Sequence, residues 1–262
     1  MRVVDSHCHA GESWFEPVES LIQQMDSNGV DKGVLIQHMG MFENSYLLKC
    51  SERFPGRFSV VALVNHRDPN ACENLSRLAE QGVVGVRLGP TVRSPGKDKF
   101  LIWKKALSLG LSVSSLGNLE DFASDKFKEL ITELPSLPLV IEHLGGIRHA
   151  ENGSTHGQFH KVLDLSEYPG IYIKVPGLGE ISSRPEILHS RLNFDHMPPL
   201  IEMVKEAFGV RRMMWGSDFP PVSSREGYRN ALNGVLGHPS LSKMSDREWV
   251  MGKTASVVFN IN

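Results

Sequence analysis

Three groups of residues have types and spacings suited to metal or acid–base chemistry. The chain opens with Val3-Val4-Asp5-Ser6-His7-Cys8-His9, a short apolar run ending in His-x-His. A strand has period two, so the reading places Asp5, His7 and His9 on one face and Cys8 on the other. Two imidazoles leaving one strand end side by side form a chelate for a borderline cation such as zinc. Far downstream, Glu142-His143 closes a second apolar run and Gly216-Ser217-Asp218-Phe219-Pro220 closes a third.

The elements that must position these groups alternate along the chain. Apolar runs of strand length fall at 2–9, 33–38, 58–64, 83–88, 111–115, 138–143, 171–175 and 212–217. Helical periodicity fills gaps at 17–28, 70–81, 98–109 and 197–208. A last helix is expected over 245–258, where Ser245 and Glu248 are spaced as a capping box. Eight strand–helix units in a chain of 262 residues match a (β/α)8 TIM barrel. The expectation is one α/β domain over 1–262 with an extra C-terminal helix. A doubly wound sheet fits less well, because no Gly-x-Gly-x-x-Gly follows the first strand.

In such a barrel the site lies at the C-terminal mouth. The expected strand ends are His9, His38, His66, Arg87, Ser115, His143, Lys174 and Asp218, nearly all able to bind a metal, move a proton or hold an anion. Residues in phase with them are apolar and are expected to face inward: Val34 and Ile36, then Val60, Ala62 and Val64, then Leu139 and Ile141. Cys8 is expected to pack under a helix.

Asp5-Ser6-His7-Cys8-His9, Gly85-Val86-Arg87-Leu88, Ile141-Glu142-His143-Leu144-Gly145-Gly146, Lys174-Val175-Pro176-Gly177 and Trp215-Gly216-Ser217-Asp218-Phe219-Pro220 together resemble the amidohydrolase superfamily. The resemblance is strongest to its amidohydrolase-related group, which holds lactonases and metal-dependent decarboxylases. Many relatives carry a metal-binding lysine or histidine at the end of the middle strand, a ligand with which the lactonase branch can dispense. Here that strand reads Leu111-Ser112-Val113-Ser114-Ser115. The resemblance therefore implies a mononuclear rather than a binuclear centre and favours the lactonase branch, some of which works without metal.

On this reading His7, His9 and Asp218 would supply three ligands to a divalent cation, zinc by donor type, leaving water a fourth position. The resemblance makes Asp218 the general base. His143 would bind metal or stabilise an oxyanion. Arg87 and Lys174 suit a substrate carboxylate, the alternative being ion pairs with Glu142, Glu180 or Asp5. His38 and His66 are further mouth candidates. Arg148, in a glycine-rich stretch over 144–161, would be an anion contact, and 176–199 would form another loop on the same face.

The expected activity is hydrolysis of a lactone or ester of a small carboxylated or polyhydroxylated molecule. A non-oxidative decarboxylase of an unsaturated or aromatic acid and a catalytically silent ligand-binding barrel stand as alternatives. A net charge of −2 leaves no electrostatic footprint for nucleic acid or anionic membrane. Three cysteines without metal-type spacing, no signal peptide and no membrane-length apolar run suggest a cytoplasmic protein. The substrate is expected to be a small anion, and monomer and oligomer are both left open.

Overall fold

The computed structural model describes residues 1–147, 153–184, 186–187 and 199–261. Eight parallel strands lie in sequence order: β1 (Val4–Cys8), β2 (Lys32–Ile36), β3 (Phe58–Ala62), β4 (Gly85–Arg87), β5 (Ser112–Ser115), β6 (Leu139–Ile141), β7 (Ile171–Val175) and β8 (Met213–Trp215). The first and last strands meet just past their ends. Asp218 N donates to His7 O at 2.8 Å, and His9 N donates to Phe219 O at 2.8 Å. The result is the expected TIM barrel.

The outer layer holds α1 (Val18–Ser27), α2 (Ser45–Arg53), α3 (Ala71–Glu80), α4 (Leu101–Ser108), α5 (Leu119–Phe122) and α6 (Asp125–Glu133). It continues with the turn α7 (His143–Gly146), then α8 (Gly153–Leu163), α9 (Leu178–Ile181), α10 (Leu200–Phe208) and α11 (Tyr228–Leu236). The stretch expected to be a loop over 144–161 is thus helical from Gly153 onward. No helix among the described residues is long and apolar enough to cross a membrane.

Two apolar clusters separate the faces of the barrel wall. Leu35, Val60, Ala62, Val86, Val113, Leu139, Ile141, Ile173 and Val175 belong to the larger cluster, shared with helix residues such as Leu21, Leu75, Trp103 and Val204. Val4, Val34, Ile36, Val61, Val140 and Met214 form the smaller one with Ala255, Val258, Phe259 and Ile261. The second set fills the barrel and is plugged from below by the C-terminal segment. Val34 and Ile36 face inward as expected. For β3 and β6 the expected phase is reversed: Val61 and Val140 face in, while Val60, Ala62, Leu139 and Ile141 face the helices. A barrel strand is buried on both sides, so its apolar pattern does not mark which side is which.

The C-terminal segment also departs from expectation. It runs as α12 (Met244–Glu248), a π-helical turn over Trp249–Lys253 and α13 (Thr254–Val258). Lys243 takes the N-cap position with no side-chain cap, and Ser245 already lies inside the first turn. The capping box is therefore not formed. Cys8 does pack outward: its Sγ donates to Val34 O at 3.3 Å and it sits in the outer cluster.

Candidate active site

The site begins with an irregularity in β1. Its register against β2 shifts between Asp5 and Cys8. Asp5 consequently does not share the face of the histidines. Its carboxylate accepts from Ser217 N (2.9 Å), Ser217 Oγ (2.6 Å), Tyr228 Oη (2.9 Å) and His7 N (3.2 Å). Burial pushes its pKa up to about 6 despite these donors. Tyr228 lies on α11, so Asp5 ties β1 to the chain after β8 and to the helix layer. Gly216 makes that close approach feasible, because a Cβ there would stand 2.6 Å from His7 Cβ.

His7 and His9 project into the mouth with their Nε2 atoms 3.2 Å apart. Asp218, at φ +56°, brings Oδ1 to 3.5 Å from His9 Nε2 and 3.9 Å from His7 Nε2. Arg225 Nη1 donates to the other oxygen, Oδ2, at 3.2 Å. Burial alone would raise the Asp218 pKa. The adjacent His9 ring and the nearby charges of His143 and Arg225 outweigh burial and hold it below the ordinary carboxylate value. Burial, followed by the charges of Lys174 and His143, holds His7 neutral, and burial does the same for His9.

Under the histidines lies a closed ionic layer. Glu142 follows β6 in phase with inward-facing Val140 and is fully buried. Arg87 grips it with Nη2 (2.7 Å) and Nε (3.1 Å), and gives Nη1 to Gln37 O at 3.1 Å. Ser114 Oγ donates to Glu142 Oε1 at 2.6 Å and accepts from Lys174 Nζ at 2.9 Å. Lys174 Nζ also meets His7 Nδ1 at 3.0 Å. Burial pushes Lys174 down to about 8, while Arg87 and Lys174 overcome burial and pull Glu142 down to about 2. The Arg87 edge that would clamp a substrate carboxylate is engaged with Glu142, the ion-pair alternative. Ser114, not Ser115, is the inward-facing residue of β5.

After Glu142 the backbone turns left-handed at four successive residues, His143 to Gly146, with φ between +50° and +76°. The turn brings the His143 ring to 4.5 Å from the His7 ring. His143 Nδ1 lies 3.0 Å from Glu180 Oε1, which leaves Nε2 as the available nitrogen. Burial would lower the His143 pKa, but the charge and hydrogen bond of Glu180 raise it. Arg225 Nη2 approaches Glu180 Oε2 at 3.1 Å, with angles short of a hydrogen bond. Glu180 on α9 and Arg225 on the loop before α11 thus link the segments that follow β6, β7 and β8.

His38 borders this cluster through Phe15, its ring 5.3 Å from the phenyl ring. His66 is half-buried on the loop after β3. Among the described residues no hydrogen bond or ring contact ties it to the cluster, and it is not part of it. Arg148 lies outside the described residues. Sequence reasoning gave Glu142, beyond its place beside His143 in the motif, and Glu180 no role but that of ion-pair partner, and it missed Arg225, Phe15 and the role of Ser114 as hydrogen-bond partner of Lys174. The inward phase of Val140, which the sequence does not reveal, is what places Glu142; Arg225 and Phe15 sit on loops, Glu180 on the four-residue α9, and Ser114 on a strand whose phase was misassigned.

Could these residues hold a cation? The two Nε2 atoms are spaced for a tetrahedral centre with bonds near 2.0–2.1 Å, and Asp218 Oδ1 completes a three-donor set. His9 Nδ1 donates to Ile36 O at 2.7 Å, which fixes the lone pair on Nε2. His7 depends on Lys174. An ammonium there donates to Nδ1 and keeps the proton on Nε2; a neutral amine accepts from Nδ1–H and frees Nε2 as a ligand. The donor set fits one zinc-like ion when Lys174 is neutral.

The amidohydrolase family's sequence model matches residues 5–261. The 4-sulfomuconolactone hydrolase of Hydrogenophaga intermedia is 27% identical over 210 residues, which cover 78% of this chain and 65% of the relative. The L-fucono-1,5-lactonase of Burkholderia ambifaria is 25% identical over 207 residues, 74% of this chain and 66% of the relative. The chain thus spans just under two thirds of the length of these curated relatives. An amidohydrolase of Burkholderia multivorans, solved with bound zinc, has the same fold with a TM-score of 0.83 at 18% identity, covering 100% of both chains. With the family pattern running from Asp5 on the first strand to the segment that plugs the barrel, this chain belongs to the amidohydrolase family.

Proposed function

We propose that the protein hydrolyses a lactone of a small organic acid, with Asp218 as general base. The observation that carries this reading is the convergence of an ionised, oriented carboxylate and two neutral imidazoles at one point, with Asp218 Oδ1 3.5 Å from His9 Nε2. Arg225 occupies Oδ2 and so leaves Oδ1 to face the reacting water. Oδ1 accepts a proton from water as the water oxygen bonds to the lactone carbonyl carbon. His143, kept protonated by Glu180, offers its Nε2 proton to the developing oxyanion. Collapse of the tetrahedral intermediate breaks the ring C–O bond, and the proton held by Asp218 passes to the leaving oxygen. His7, His9 and Asp218 would hold a divalent cation, zinc by donor type, which would polarise the carbonyl or lower the pKa of bound water to about 7. His38 borders the mouth and serves as a substrate contact. Two lactone-hydrolysing relatives support this reaction class.

The test is a lactone screen with wild type and Asp218→Asn, following acid release and, in parallel, carbon dioxide. Loss of the base is expected to lower kcat by about 10²–10⁴ with unchanged folding. Lactone turnover equal in both proteins, or carbon dioxide as the product, refutes the assignment. Metal analysis of the same preparations is expected to give zinc in wild type and none in His9→Ala.

A further inference from the structure

The loop between β1 and α1 carries a feature that the reaction does not use. Phe15 has φ +71°, a left-handed conformation that bulky residues rarely adopt. The loop is buckled to hold it. Gly11 N donates to Glu16 O at 3.0 Å, and a Cβ at Gly11 would stand 2.1 Å from the Trp14 carbonyl oxygen. The phenyl ring lies stacked on His9, centroids 5.1 Å apart and planes 23° apart. The His38 ring meets its edge at 5.3 Å, and the Trp14 ring lies 6.3 Å away, tilted by 58°. Trp14 and Met39, on the first two mouth loops, are 65% and 54% exposed. Backbone strain held by its surroundings clusters at ligand clamps, and here it aims an aromatic ring at a site histidine.

The two sides of the mouth therefore differ. On one side Arg225 donates to Asp218 and faces Glu180, which in turn pairs with His143. On the other stand Phe15 and Trp14, and beside Phe15 the buried His38 Nδ1, which has no hydrogen-bond partner among the described residues. Among the described residues Arg87, Arg225 and His143 each already face a carboxylate.

We infer that residues 11–16 form the aromatic wall of the substrate pocket and select a lactone with a flat, unsaturated or aryl-bearing ring. That ring packs against Phe15 and Trp14 while its carbonyl faces Asp218 and the histidine pair. Aromatic faces favour flat π-systems. A puckered, polyhydroxylated ring would press hydroxyls against the carbon faces of Phe15 and Trp14. Phe15 is then a specificity residue and, through its stack on His9, a positioning residue. The inference rests on the hydrolase reading for the orientation of the ring, not for the wall itself.

Binding of unreactive lactams tests the wall without catalysis. Calorimetric titration of the full chain should show 2-pyridone, which is flat, bound about fivefold or more tightly than puckered δ-valerolactam, the size of one aromatic contact. Phe15→Leu and Trp14→Ala should erase the preference, and Phe15→Tyr should restore it. Equal binding by wild type, or a preference that survives both substitutions, overturns the inference. In turnover, Phe15→Leu should lower kcat/KM for dihydrocoumarin about tenfold relative to its effect on δ-valerolactone, a ratio that cancels intrinsic reactivity. Equal losses on both substrates, not rescued by Phe15→Tyr, reduce Phe15 to a purely structural residue and overturn its role in specificity. A lactam preference without any lactone turnover upholds the wall and refutes the hydrolase reading instead.

Discussion

Glu142→Gln isolates the ionic layer beneath the histidines. The carboxylate is fully buried and takes Arg87 Nη2 at 2.7 Å, Arg87 Nε at 3.1 Å and Ser114 Oγ at 2.6 Å. Glutamine keeps the shape but turns one acceptor into a donor facing a guanidinium, and removes the buried counter-charge that Arg87 and Lys174 share. The native carboxylate has its pKa lowered from 4.5 to about 2, which corresponds to about 3 kcal/mol at about 1.4 kcal/mol per pH unit. Breaking one side of a buried pair costs a similar amount, about 3–5 kcal/mol. The folded pKa lies below the unfolded one, so the stabilisation is complete above pH 4.5 and is lost as pH falls towards 2. Urea unfolding of both proteins at pH 7 and pH 3 is the assay. The expected difference is about 3 kcal/mol at pH 7 and less than half of that at pH 3. An equal loss at both pH values would mean that shape rather than charge is responsible. A loss under about 1 kcal/mol at pH 7 would mean that the layer behaves like a surface pair and does not hold the groups beneath the histidines in place.

Glu180→Gln removes the charge that raises the pKa of His143. The alkaline limb of the kcat/KM profile should move to lower pH, and an unmoved limb would detach His143 from the oxyanion. Tyr228→Phe deletes one donor to Asp5 while Ser217 remains, so urea unfolding should show a loss of about 1.5 kcal/mol. Gly216→Ala would put a methyl group 2.6 Å from His7 Cβ. It should cost about 1–3 kcal/mol of stability and lower kcat more than it raises KM, because it displaces His7 rather than the substrate wall.

The barrel was legible because parallel strands buried on both faces appear as uninterrupted apolar runs, and all eight were identified. The same property hid their phase. Val60 and Leu139 are as apolar as Val61 and Val140, and nothing local says which pair faces the axis. That ambiguity obscured the central residue of the ionic layer. Once Val140 is known to point inward, Glu142 must as well, and Arg87 then has its partner. The histidine pair was legible because His7 and His9 are two apart on a single strand. Asp5 was misplaced because a register shift breaks the alternation between it and Cys8, and a shift of that kind leaves no trace in residue types. Arg225 and Glu180 lie on segments without periodicity, where three-dimensional contacts alone identify them.

The ionic layer also disfavours, in physical terms, a cation beneath His7 at the level of Glu142. A metal there would need anionic or neutral donors on the floor of the mouth. Of those present, Glu142 already satisfies Arg87, and Ser114 Oγ lies between Glu142 and Lys174. Adding a divalent ion there would set it against a guanidinium and an amine held within the same few ångströms, with little solvent to screen them. Ser114, one residue before the end of the middle strand, is therefore more than the place of a missing ligand. It is small and polar enough to accept the Lys174 side chain, and through Lys174 it reaches His7 Nδ1. Whether His7 donates a proton or a lone pair at Nε2 follows from the charge on that amine. Ser114, Lys174 and His7 form one chain of hydrogen bonds, through which the floor of the barrel governs the chemistry available to the histidine pair at its mouth.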